Sequence, residues 1–181
     1  RAHQQNPSVT ISVGGFVPKP FTPFQWFGQN TERELWRKVG LLRDELKRRP
    51  KSYRGVQLKW HDARASVIEG LMSRGDRRLG VVIEDVWRSG GVFQEWSEHF
   101  DIRLWEDALG RHGLSLEDFV YRHRTEDEVL PWDHLSAGLH KDFLWQDWRD
   151  ALEAVGLEDC RWTPCYDCGA CTGYGIEHVV A

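Results

Sequence analysis

Long apolar runs are missing from this chain. No stretch of 18 apolar residues occurs, and residues 1–6 lack the charged, apolar and small-residue regions of a signal peptide. A membrane span and secretion therefore find no support, and a reducing, cytoplasmic setting is the expectation. Sulfur is scarce: there is one Met, and the four Cys are confined to positions 160–171. Disulfide scaffolds carry roughly 8–10% cysteine, and bridges within one short tail cannot staple the long segment before it. A surplus of positive charge is absent too. With a formal net charge of -4 and a pI of about 6.1, a broadly basic surface for duplex DNA is excluded, which leaves only local basic stripes. The phosphate-cradling G-x-x-x-x-G-K, the nucleophile elbow and H-E-x-x-H are all lacking, so the commonest nucleotide-triphosphatase, esterase and zinc-protease readings have no foothold.

What is present is enough for a folded core. The chain has 181 residues, of which 40% are hydrophobic and 29% charged, with ten Trp. A domain near this size removes roughly 70% of its unfolded-chain surface from water. Val9, Ile11 and Val13 alternate with Thr10 and Ser12, the period-two pattern of a strand, and Gly14-Gly15 ends it. Three prolines between Phe16 and Phe27 then exclude a helix or a central strand and predict a stiff aromatic loop.

Thr31 with Glu34 has capping-box spacing. Leu35, Val39, Leu42 and Leu46 recur at helical intervals up to Pro50, which predicts a helix over about 31–49. Val56, Leu58 and Trp60 alternate again, so a second strand delivers His61-Asp62 to its carboxyl end, and strand–helix–strand is a βαβ-like signal. Beyond Asp62 the pattern is helical. Apolar faces run through Val67–Met72, Leu79–Trp87 and Trp96–Ala108, a short capped helix covers about 115–122, and a last long helix runs from Leu139 to near Gly156. The chain thus divides into a strand-containing segment 1–60, a helical segment 61–156 and a cysteine-rich tail 157–181.

Cys160, Cys165, Cys168 and Cys171 form C-x4-C-x2-C-x2-C. Four thiolates so close in sequence can converge on one metal centre, and the spacing alone admits either zinc or an iron–sulfur cluster. Free thiols or two disulfides are the plainer alternative. Arg74, Arg77 and Arg78 around Asp76 offer planar donor forks for phosphate or carboxylate, against the alternative of a solvated turn. His61 sits where parallel sheets place functional residues, although Asp62 equally suits a helix N-cap. Asp133 and His134 repeat that pairing after Pro131. Trp26 and Trp60, in a loop and at a strand end, are placed to stack on a base or nucleoside, whereas the Trp residues on helical faces read as core.

Several segments together resemble the C-terminal part of a family of large bacterial radical SAM proteins that carry an N-terminal cobalamin-binding-like domain. They are Phe16-Val17-Pro18-Lys19-Pro20 with Thr22-Pro23-Phe24-Gln25-Trp26, then Ser73-Arg74-Gly75-Asp76-Arg77-Arg78, then Leu130-Pro131-Trp132-Asp133-His134, and finally Asp159-Cys160-Arg161 with Cys165, Cys168-Gly169 and Cys171. The resemblance implies an α/β chain: the end of a radical SAM (β/α) barrel, a mainly helical extension and a metal-binding tail. It implies S-adenosylmethionine and a [4Fe–4S] cluster in the full-length protein, with cobalamin entering through an upstream domain.

The family's cluster motif C-x3-C-x2-C is absent from these residues, and a whole barrel needs about 200 residues or more. The expected partner is therefore a preceding barrel portion of the same protein, and this segment alone is expected to be inactive. Lys19, Gln25, Trp26, His61, Arg74, Asp76, Arg77, Arg78, Asp133 and His134 become candidates for substrate or cofactor contact. The arginines and exposed aromatics make RNA or a nucleotide the expected substrate class. The alternative is a stand-alone zinc-binding interaction module that contacts RNA.

Overall fold

The computed structural model of the chain describes residues 8–51 and 54–176. They fall into two compact units that interleave in sequence and cut across the three sequence segments. One contains 8–17 and Gln29–Tyr121, the other Pro18–Gly28 and 122–176.

The first unit opens with strand β1 (Val9–Val13), which pairs in parallel with β2 (Val56–Trp60). The register runs from Val9 opposite Val56 to Val13 opposite Trp60. Helix α1 (Glu32–Arg48) makes the crossover. It begins where expected because the Glu34 amide donates to Thr31 Oγ1, with Glu32 and Glu34 at the positive end and Lys47 and Arg48 at the negative one.

Three further helices follow: α2 (Ala63–Arg74), α3 (Leu79–Arg88) and α4 (Ile102–Arg111). Asp62 caps α2 and Asp101 caps α4, each accepting from the amide two residues on. A five-residue π-helical turn, Glu117–Tyr121, stands where a short helix was expected. Val67, Leu71, Val82, Val86, Leu109 and Phe119 are nearly or fully buried and form the core of this unit. Helix α4 starts later than the spacing of Trp96 suggested. Phe93 takes a positive φ of 54° and Trp96 closes a turn by donating to its carbonyl, so Trp96 lies outside the helix.

The second unit has few regular elements. A single 3-10 turn at Pro23–Trp26 interrupts the proline-rich loop, helix α5 spans Lys141–Leu152, and a short turn of helix α6 spans Ala170–Gly173. Its core is aromatic: Trp26, Trp132, Leu130 and Leu144 are buried, with Phe21, Phe143, Trp145 and Trp148 packed around them. Trp26 meets Trp145 edge to face at 5.0 Å. The Trp26 carbonyl accepts from the Arg124 amide, so residues distant in sequence share one backbone bond. Among the described residues no helix is long and apolar enough to cross a membrane.

Candidate functional site

In the first unit, chemistry gathers at the carboxyl ends of the two strands. The His61 amide donates to the Val13 carbonyl, which ties the chain leaving β2 to the end of β1. His61 Nδ1 lies 3.3 Å from Ser66 Oγ, and Ser66 itself is buried. A Cβ on Gly15 would stand 3.1 Å from the same hydroxyl, so glycine there lets the backbone close over the pair.

Two clefts share His61. One of about 210 Å³ is bounded by Gly14, Gly15, Asn30, Lys38, His61 and Ser66, among others. The other, about 730 Å³, has Trp60, Met72, Phe100 and Trp105 as apolar wall and His61, Asp62, Arg64 and Gln94 as polar wall. Asp62 is committed to Arg64 and to the α2 amide, and the Arg64 guanidinium holds its carboxyl below the usual carboxylate range. His61 is exposed and, among the described residues, makes no such charge pair.

The arginine segment does not act as one cluster. Arg74 is fully buried and its Nε donates to the Phe119 carbonyl at 3.0 Å, which anchors the π-helical turn. That corrects its reading as a phosphate contact, because a guanidinium inside the core meets no ligand. Asp76 and Arg78 pair with each other at 2.8 Å, and the Arg78 guanidinium also lies over the Phe119 ring at 4.9 Å. Its pairing with Asp76 raises the Arg78 pKa. Arg77 and Arg78 remain exposed.

In the second unit the proline-rich loop and the Pro131 loop meet. Gln25, 2% exposed, accepts from Trp132 Nε1 at 2.7 Å and from the Phe21 amide at 3.1 Å. Phe21 holds a positive φ of 56°, a conformation that a bulky residue keeps only when its surroundings fix it. Gln25, Trp132, Asp133 and Lys141 face a pocket of about 320 Å³, with Lys141 Nζ 2.6 Å from Asp133 Oδ2. Asp133 also accepts from the Leu130 amide. Trp26 is wholly buried, which removes it as a stacking platform, while Trp60 at 39% exposure keeps that capacity. Lys19 and His134 are exposed and do not line this pocket.

Among the described residues the four cysteines form no disulfide; Cys160 and Cys165 are exposed, Cys168 and Cys171 half-buried. Among the described residues no three His, Cys, Asp or Glu side chains come close enough together to hold an ion. The Asp167 amide donates to Cys165 Sγ at 3.3 Å, and Asp167 and Gly169 take positive φ values of 53° and 89°. Thiols are the donor type that a soft metal takes, but these four are not gathered around one point. Arg161 holds the neighbouring Asp159 carboxyl down at about 2 through a direct hydrogen bond.

Ser66, Lys141 and Trp105 join these sites without having been singled out in the sequence. Trp105 has the helical spacing of a core residue and is one, and Lys141 carries only the weak signal of following the Asp133 turn by eight positions. Compared with known proteins, the chain matches no family model, no curated protein and no solved structure.

Proposed function

We propose that the chain is the C-terminal part of a radical SAM enzyme: the end of its (β/α) barrel, a helical extension, and a cysteine tail for an auxiliary iron–sulfur cluster or zinc. The observation that carries this reading is the parallel β1–β2 pair. Parallel sheets are ordinarily covered on both faces, and two strands alone are marginal in water. Val9 and Ile11 are 54% and 41% exposed, and α1 buries only Leu35 of its apolar face. Such a pair belongs in a larger sheet, and its chemistry-bearing residues lie at the strand carboxyl ends, where barrel enzymes build their sites.

When bound beside a reduced [4Fe–4S] cluster, S-adenosylmethionine supplies a 5′-deoxyadenosyl radical. These residues contain no C-x3-C-x2-C to hold that cluster, so no step of radical formation is assigned to them. Their own roles in this reading are positional. His61, oriented by Ser66 and by the Val13 carbonyl, presents an imidazole to whatever lies above the strands. The Gln25–Trp132–Asp133 pocket takes a small group, and exposed Arg77 and Arg78 meet the phosphates of an RNA or nucleotide substrate. Cys160, Cys165, Cys168 and Cys171 would hold the tail metal, and an upstream domain would hold cobalamin.

The decisive test is the reading frame before Arg1. An in-frame C-x3-C-x2-C supports the proposal, and a start codon immediately before Arg1 overturns it. Iron, sulfide and zinc content of anaerobically purified protein, with and without Cys168→Ala, then identifies the tail metal.

A further inference from the structure

The two clefts that share His61 differ in charge. Asp62, Glu69 and Glu95 line the larger one, and its Arg64 guanidinium is taken up by Asp62. The smaller one, at the carboxyl end of β1, has Lys38 in its wall and no carboxylate; Asn30, His61 and Ser66 are its other polar side chains. In a chain with 28 acidic residues against 24 Lys and Arg, that is a local reversal of sign.

The donors around the smaller cleft are not spent on the protein. On α1, Arg37 gives two hydrogen bonds to Glu34, whereas the neighbouring Lys38 makes no hydrogen bond or ion pair among the described residues and acts on Glu34 only through its charge. The Asn30 carboxamide has no hydrogen-bond partner among them either. The parallel ladder also ends at this point. Its last rung is the His61 amide to the Val13 carbonyl, and among the described residues the amides of Gly14 and Gly15, which line the cleft, donate to nothing. Ser66, 2% exposed, holds its hydroxyl 3.3 Å from His61 Nδ1. When that hydroxyl donates to Nδ1, the imidazole proton sits on Nε2, which becomes one more donor.

An ammonium, a carboxamide, two backbone amides and an imidazole together outnumber the roughly four lone-pair sites of a single carboxylate. They suit the oxygens of a phosphoryl group, which carries a charge of about -1.5 to -2 at neutral pH. We propose that this cleft binds a small phosphate monoester, with its phosphoryl group among Lys38, Asn30, His61 and the Gly14-Gly15 backbone and its organic part on Leu35, Val39 and Leu42 of α1, which complete the wall. A volume of about 210 Å³ lies below the roughly 300 Å³ at which sites for drug-sized ligands begin, so the ester is a small one. The assignment goes beyond the radical-enzyme reading and needs neither a cluster nor the cysteine tail.

The test is a titration of the full chain with phenyl phosphate, followed through the amide NMR signals of Gly14 and Gly15. Both should shift saturably. Lys38 is exposed, so Lys38→Gln leaves the core intact, and it should weaken binding by about tenfold, the size of one charge-assisted hydrogen bond. Lys47→Gln removes the same charge from the last turn of α1, outside the cleft, and should leave the affinity within about twofold. Phenyl phosphate should bind more tightly than inorganic phosphate, because only the ester reaches the apolar wall, and more tightly than benzoate, because only the phosphoryl group engages every donor. No shift at Gly14 and Gly15 up to about 10 mM phenyl phosphate overturns the site. Equal losses from Lys38→Gln and Lys47→Gln overturn it too, since they mean general attraction of charge. Benzoate binding as tightly overturns the phosphoryl assignment, and inorganic phosphate binding as tightly overturns the ester. The reading frame before Arg1 tests the radical-enzyme reading separately, so either proposal can fail alone.

Discussion

The two units bury their cores by different means. In the first, Val67, Leu71, Val82, Val86 and Leu109 come from successive amphipathic helices, and three of its four helices carry a side-chain cap of their own. In the second, Trp26, Trp132 and Leu130 come from loops, and they are fixed by bonds between residues roughly a hundred positions apart, such as Trp132 Nε1 to Gln25. An aliphatic helical core can lose a contact and partly close over it. An aromatic core assembled from loops depends on a few large side chains, each of which also sets the path of the backbone around it.

The largest effect is expected where that dependence is greatest. Trp26→Ala removes a wholly buried indole with its edge-to-face contact to Trp145, and should cost about 3–5 kcal/mol in urea unfolding. Leu71→Met in the first unit conserves volume and should cost less than about 1.5 kcal/mol. If Trp26→Ala lost under about 1 kcal/mol, the second unit would not be organised around that ring, and the contrast between the units would fail.

Next come the long-range polar ties, one in each unit. Arg74→Ala leaves the Phe119 carbonyl without its buried donor and opens a cavity, for a loss of about 2–4 kcal/mol. Gln25→Ala strands Trp132 Nε1 and the Phe21 amide, for about 1–3 kcal/mol. Arg77→Ala, on the exposed turn beside Arg74, should change stability by no more than about 0.5 kcal/mol. Equal losses for Arg74→Ala and Arg77→Ala would return Arg74 to the surface cluster that its sequence position suggested.

What the sequence disclosed follows the same division. The strands at Val9–Val13 and Val56–Trp60 and the capped helix at Thr31 were legible because alternation, periodicity and capping are local signals. The pocket of Gln25, Trp132 and Lys141 was not legible, since nothing in two separate proline-bearing loops states that they meet. Arg74 misled for a related reason. In the string Arg74-Gly75-Asp76-Arg77-Arg78 it looks like its neighbours, but it is the last residue of α2 and falls on the buried face with Val67 and Leu71. Resemblance alone supplied the barrel-end proposal; the described residues show one two-stranded parallel sheet. The tail's cysteines were plain in the sequence, whereas their seating on Gly138 and His140 was not.

The smallest expected effect tests the local capping that sets the first unit apart. Asp62 accepts from the Arg64 amide at 2.8 Å, and Asp62→Ala should cost about 1 kcal/mol at neutral pH. Asp62→Asn keeps a capping oxygen and loses only an exposed ion pair, so it should cost a few tenths of that. Arg64 holds the Asp62 carboxyl below its unfolded value, so the carboxylate's contribution is complete above that unfolded value and is lost as pH falls through the lowered one. The stability difference between the natural chain and Asp62→Ala should therefore stay constant from pH 7 down to about pH 4 and shrink below it. A difference that already faded between pH 7 and pH 5 would mean that Asp62 is not held by Arg64. The start of α2 would then depend on contacts made from outside the helix.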